Sequence, residues 1–162
     1  MSIGKIIKGL NFKQLLSLFG WFLKHPFYMI CTVNATVLTF KISQKEFPNI
    51  HGLHNKANAF RHALWNLLIA RNCHKIDRNI ESVLIWTKQI TDWHEDFSPN
   101  EELMKIMDLH NNEIGRRMYE SMQNKKEAVM KDELMKKLSD AVLVFSVDEI
   151  NRIKDELVYL EA

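Results

Sequence analysis

Residues 58–70, Asn-Ala-Phe-Arg-His-Ala-Leu-Trp-Asn-Leu-Leu-Ile-Ala, keep a helical period without a single Lys, Glu or Asp. At about 100° per residue, Asn58, Arg61, His62, Trp65, Asn66 and Ile69 share one side, while Phe60, Ala63, Leu64 and Leu67 share the other. A side facing only bulk water would carry Lys and Glu instead of Trp and Ile beside amides. The polar side therefore reads as the wall of a cleft, or as a buried polar network that fixes helix packing.

The rest of the chain supplies helices to surround it. With 162 residues, 46% hydrophobic content, five Gly and three Pro, the sequence fits one domain large enough to bury a core. Asn11 reads as the N-cap of a helix over 12–24, ended by His25-Pro26. Residues 27–42, rich in Val, Thr and Ile, suit strand or helix locally; a lone strand would lack a partner, so helix follows by elimination. Pro48 and Gly52 mark 43–57 as an ordered loop, and 71–77 reads as a connection to a helix over 78–97. Ser98-Pro99-Asn100-Glu101-Glu102 stops that helix and starts another, with Pro in the first turn and acids at the positive end, running to about Gln123. Helices over 125–143 and 148–160 complete the chain, the second opened by a Ser146 to Glu149 capping box. The expected fold is all-α: a compact single-domain bundle of six to seven helices over 1–162, with a basic aromatic segment (1–45), a motif-bearing core (46–123) and C-terminal helices (124–162).

The net charge of +2 conceals an asymmetry. Residues 1–45 hold six lysines, Lys5, Lys8, Lys13, Lys24, Lys41 and Lys45, and no acid before Glu46, so this segment is +6 and the remainder −4. Seven of the sixteen aromatic residues also fall there. Such a segment suits an anionic membrane surface, or docking on the acidic body or a protein partner. No run reaches the roughly 20 apolar residues of a membrane span, and no signal-peptide pattern is present, so the expected location is cytoplasmic or peripheral to a membrane. Nucleic-acid binding is not expected, since the acidic body lacks a basic stripe. Cys31 and Cys73 are too few and too far apart in sequence for a disulfide framework and read as reduced, buried thiols.

Two further helices add polar groups. On the helix over 78–97, Val83, Trp86, Ile90, Trp93 and Phe97 define the apolar arc; His94 lies at its edge toward the core, and Glu95 is turned further out along the margin. On the next, Leu103, Met107, Ile114 and Met118 form the buried stripe, Asn111 falls inside it, and Asp108, Asn112 and Gly115 make the adjoining row. His110 and Arg116 rank lower, because Arg116 is turned away from Asp108 and His110 lies on the opposite edge. Histidines with carboxylates can hold a divalent metal, here expected at His62, His94 and Asp108. Catalytic roles fall to Arg61, His62, His94, Glu95 and Asp108, and substrate binding to Asn58, Trp65, Asn66, Asn111 and Asn112. The same set works without metal if a histidine is the general base, a carboxylate orients it and Arg61 faces an anionic transition state. Neither Cys nor Ser stands among these residues in a nucleophile setting, so water is the expected attacking group.

The motifs Asn58-Ala-Phe-Arg-His-Ala-Leu-Trp-Asn66, His94-Glu95 and Met107-Asp-Leu-His-Asn-Asn-Glu-Ile-Gly-Arg116 resemble an uncharacterised bacterial domain family over residues 45–120, leaving the first 45 residues and the C-terminal helices outside. Members of that family often stand at the C-terminus of polymorphic toxins, which implies an antibacterial effector. A weaker resemblance is to helical metal-dependent phosphohydrolases with His, then His-Asp, then Asp; His62, His94-Glu95 and Asp108 follow that order, with Glu95 in place of Asp. Together these point to a hydrolase, metal-assisted, acting on a phosphoester or ester at a membrane or cell envelope. The alternative is a non-catalytic helical binding or membrane-surface module whose polar cluster is structural.

Overall fold

Asn11 opens the first helix with a reciprocal cap: its side chain accepts from Gln14 N (3.0 Å), and the Gln14 side chain accepts from Asn11 N (2.7 Å). The helix, α1 (Phe12–Lys24), ends at His25, and Pro26 begins α2 (Pro26–Glu46). The computed structural model describes residues 11–50, 53–97 and 101–161. Within α2, Thr32 and Thr36 donate to the carbonyls of Tyr28 (2.9 Å) and Thr32 (2.8 Å), four residues back, which accommodates these β-branched polar side chains in a helix.

Next comes α3 (Lys56–His74), capped by Asn55, whose side chain accepts from Ala57 N and Asn58 N. It starts before and ends after the expected 58–70 segment. Almost every residue from Ala57 to Ala70 is buried, because α2, α4 (Ile80–Phe97), α5 (Glu102–Ser121) and α6 (Glu127–Ser139) all pack against it. The missing charges are thus explained by a central helix covered on both sides. The expected Pro99 start of α5 lies outside the described residues.

One position decides how closely α3 and α5 approach. A Cβ added to Gly115 would lie 2.1 Å from the Ala63 carbonyl oxygen, so the two backbones are in direct contact there. Around this seam the main core gathers Phe60, Leu64, Leu67, Val83, Tyr119 and Leu134, among others. Cys31 and Cys73 are free, and their side chains meet between α2 and α3, where burial pushes both thiols up.

The C-terminal segments differ from the two expected long helices. After α6 the chain enters β1 (Val142–Leu143), crosses through α7 (Val147–Arg152) and returns as β2 (Val158–Tyr159), parallel to β1 with Val142 opposite Val158. Ser146 caps α7 by accepting from Glu149 N (3.3 Å), but the Glu149 side chain returns to Phe145 N instead of Ser146 N. The extended path of 158–159 has a distant cause: Asn111 donates to Val158 O (2.9 Å) and accepts from Val158 N (3.0 Å). A long-range amide thus replaces hydrogen bonds that a helix would make locally, and helical periodicity is blind to it. Asn111→Ala should lower stability by about 2 kcal/mol, since it strands two buried backbone groups; chemical denaturation reads the loss, and an unchanged midpoint would refute this role. Among the described residues the fold is all-α apart from this two-residue pair, and no helix is long and apolar enough to cross a membrane.

Candidate functional site

Three ridges of residues spaced by four meet beside the Gly115 seam. They are Asn58, His62 and Asn66 on α3, Thr87, Thr91 and Glu95 on α4, and Asp108, Asn112 and Arg116 on α5. Contacts advance in step along α3 and α5, from Asn58 with Asp108 (2.9 Å) to Asn66 with Arg116 (2.9 Å), so these helices run parallel. Along α4 they run backwards: Thr91 reaches Asn66 (3.1 Å), whereas Glu95 approaches His62 (3.4 Å) and Asn112 (3.2 Å).

His62 stands at the centre. Arg61 donates from Nη2 to His62 Nε2 (2.9 Å) and also to Asn58 Oδ1. Arg61 has no acceptor to offer, so Nε2 presents its lone pair and the ring proton is assigned to Nδ1, facing Asn112 Oδ1 at 3.3 Å and Glu95 Oε1 at 3.4 Å. Burial lowers the imidazole to about 4 against the opposing pull of Asp108. It is therefore neutral at pH 7, and its 3.4 Å approaches to Glu95 and Asp108 are polar contacts, not ion pairs.

The carboxyls move the other way. Burial raises both Asp108 and Glu95, although Arg61 is close enough to oppose it. The same burial lowers Arg61, which Asp108 and Glu95 resist. Arg61 faces both carboxylates, and burying the second of them favours a proton or a bound cation beside it. Asn58 donates to Asp108, and Asn112 donates to Glu95 Oε1, but Glu95 Oε2 is buried with no hydrogen-bond partner. One ligand atom each from His62, Glu95 and Asp108 lies within 4.8 Å of the other two. These are the residues that could hold a metal ion.

A pH signature follows. The unfolded histidine takes its proton near 6.5 and the folded one near 4, so acidification through that window favours unfolding by up to about 1.4 kcal/mol per pH unit. The raised carboxyls act oppositely, because the folded chain holds their protons more firmly. His62→Gln removes the first effect and with it the pull of the imidazole on Asp108, and we expect the variant to lose less stability than wild type between pH 7 and pH 5. Equal losses in paired denaturation curves would rule this out.

Several expected site residues lie elsewhere. His94, expected among the ligands, stands at the rim of the cluster: its ring is edge-on to Trp65 at 5.2 Å and within electrostatic reach of Glu95, His62 and Arg61, while Glu95 takes the buried place (1% exposed). Trp65 donates to Thr36 (2.8 Å) away from the cluster, and Asn111 is occupied by Val158. His110 bonds the Glu156 carbonyl (2.8 Å). Arg116, ranked low from its angle, is buried and donates to Asn66, while Glu113 accepts from it at 2.5 Å. Thr91, one turn before Glu95 on the same ridge, also belongs to the network through its bond to Asn66. The amides of Asn58, Asn66 and Asn112 are engaged by protein partners, Asn66 through all its groups. A groove between α4 and α5 lined by Lys88, Asp92, Lys105, Glu113 and Arg116 meets this network at Arg116.

A family model spans these helices from the second half of α1 to β1. The chain belongs to DUF6973, a domain family of unknown function, over residues 19–142. The DUF6973 match reaches well past the 45–120 stretch that carries the motifs, taking in the second half of α1, all of α2 and all of α6. No curated protein and no solved structure matches the chain.

Proposed function

We propose that this DUF6973 chain is a metal-assisted hydrolase acting on a phosphoester or ester, with a divalent cation held by His62, Glu95 and Asp108. The observation that carries the reading is their convergence from three helices within 4.8 Å, with Glu95 Oε2 buried and unpartnered. Two carboxylates and a neutral imidazole suit Zn²⁺ or Mn²⁺. Bound there, the ion supplies Lewis acidity and lowers the pKa of a coordinated water toward 7. Arg61 would offset charge gathering on the substrate, and Asn58 and Asn112 would hold the carboxylates in orientation. The toxin setting of the resembling family makes an antibacterial effector the natural context.

A second reading draws on closure. His62 is 4%, Glu95 1% and Asp108 2% exposed, and the Asn66 amide is saturated, as in a scaffold that fixes helix packing. Elemental analysis and assays on phospholipids, nucleotides and generic esters separate the two. The hydrolase reading expects about one metal per chain, hydrolysis of one of these classes, and loss of both in His62→Ala, together with loss of growth arrest when the chain is expressed in bacteria. A metal-free, inactive wild type whose biological effect survives His62→Ala leaves the scaffold.

A further inference from the structure

Helix α1 is amphipathic in the sense opposite to that of a core helix. Phe12, Leu15, Leu16, Phe19, Phe22 and Leu23 are all exposed, Phe12 by 78% and Leu23 by 65%. At 100° per residue they fill one continuous arc of about 120°. The inward side carries the polar groups: Gln14 donates to Phe97 O (3.3 Å), Ser17 accepts from Trp93 Nε1 (2.9 Å), and Trp21 packs edge-on against Trp86 at 5.3 Å. These contacts fix the helix's rotation, so the apolar arc cannot turn inward without breaking them. Beyond the corner at His25, Phe27 (73%) and Ile30 (50%) prolong the exposed apolar surface.

The charge around this arc selects its occupant. Lys13 and Lys24 both border one edge of it on α1, and Lys41 and Lys45 are exposed on α2. No carboxylate precedes Glu46, which is itself paired with Lys131 at 3.1 Å. Asp77 brings a carboxylate to the α2 end, where it is held by the Tyr28 hydroxyl; the apolar and aromatic side chains bordered by lysines match the boundary of an anionic bilayer, where the rings enter the acyl edge and the ammonium groups remain at the headgroups. We infer that α1 and the start of α2 form a peripheral docking surface for anionic lipid, with α1 lying in the plane of the interface. This surface stands on its own contacts, independent of what the buried cluster does.

Flotation of the full chain with vesicles tests it, using phosphatidylcholine alone or mixed with phosphatidylglycerol. Binding to the mixed vesicles is expected, at least tenfold weaker without the anionic lipid. Phe19→Ser with Leu23→Ser changes only exposed positions and should lower partitioning by tenfold or more with an unchanged melting temperature. Neutralising Lys13 and Lys24 to Gln should lower it about fivefold per lysine. No binding to either vesicle, or equal binding by wild type and the serine variant, overturns the inference. So does a dimer in sedimentation that the serine substitutions dissociate, which would make a second copy the occupant.

Discussion

Gly115→Ala is expected to destabilise the fold by about 3–5 kcal/mol. In an ordinary exposed helix the same change stabilises by about 1 kcal/mol, so the sign alone is diagnostic. Gly115 does not have a positive φ, and alanine suits its backbone conformation. The cost is steric: the new carbon would lie 2.1 Å from Ala63 O and 2.8 Å from both Ala63 C and Cα. All three atoms are backbone, so no side chain can rotate away and the helices must separate. Separation then stretches the bonds crossing the same seam, Asn58 to Asp108 at 2.9 Å, Asn66 to Asn112 at 2.6 Å and Arg116 to Asn66 at 2.9 Å. Thermal and urea unfolding measure the effect; a variant within 1 kcal/mol of wild type would show that α3 and α5 do not meet as closely as described.

The same seam explains what could be read from the chain alone. Polar residues at 58, 62 and 66 and at 108 and 112 declare themselves by spacing, and Gly115 beside them announces a close approach. Arg116 escaped because an angle on a wheel ignores reach: eight residues from Asp108 it is rotated by about 80°, but it continues the same i, i+4 ridge, and a long guanidinium spans the remainder. The exchange of His94 for Glu95 has a related cause. The apolar arc of α4 divides toward its end, with Trp93 and Phe97 turning to α1 while Thr87, Thr91 and Glu95 turn to α3 and α5. A single averaged face places His94 inside; two neighbours on different sides place Glu95 there. The parallel strands were invisible for a third reason. Val142-Leu143 and Val158-Tyr159 become extended only because each finds the other, and because Asn111 binds Val158 from another element.

Glu95→Gln should separate metal site from scaffold most cleanly, because the two quantities it changes move in opposite directions. Metal affinity should fall by two orders of magnitude or more, since an anionic ligand becomes a neutral amide of the same shape. Stability of the metal-free protein should hold or rise by about 1 kcal/mol, because the substitution removes a buried charge whose Oε2 has no hydrogen-bond partner. The retained amide oxygen still accepts from Asn112, so the helix contact survives. Burial raises the Glu95 carboxyl, so the folded state favours its protonated form; that preference is fully present at acid pH and is lost as pH rises through the folded value. Glutamine imitates the protonated group at every pH, so its stability advantage over wild type should be greatest near neutrality and shrink toward the ordinary carboxylate range. Adding Zn²⁺ or Mn²⁺ at about 100 times the dissociation constant should stabilise wild type by about 2.7 kcal/mol and leave Glu95→Gln unmoved. If neither protein responds to metal while the variant is markedly less stable at pH 7, the carboxylate is holding helices together and the charge it adds to the core has another use.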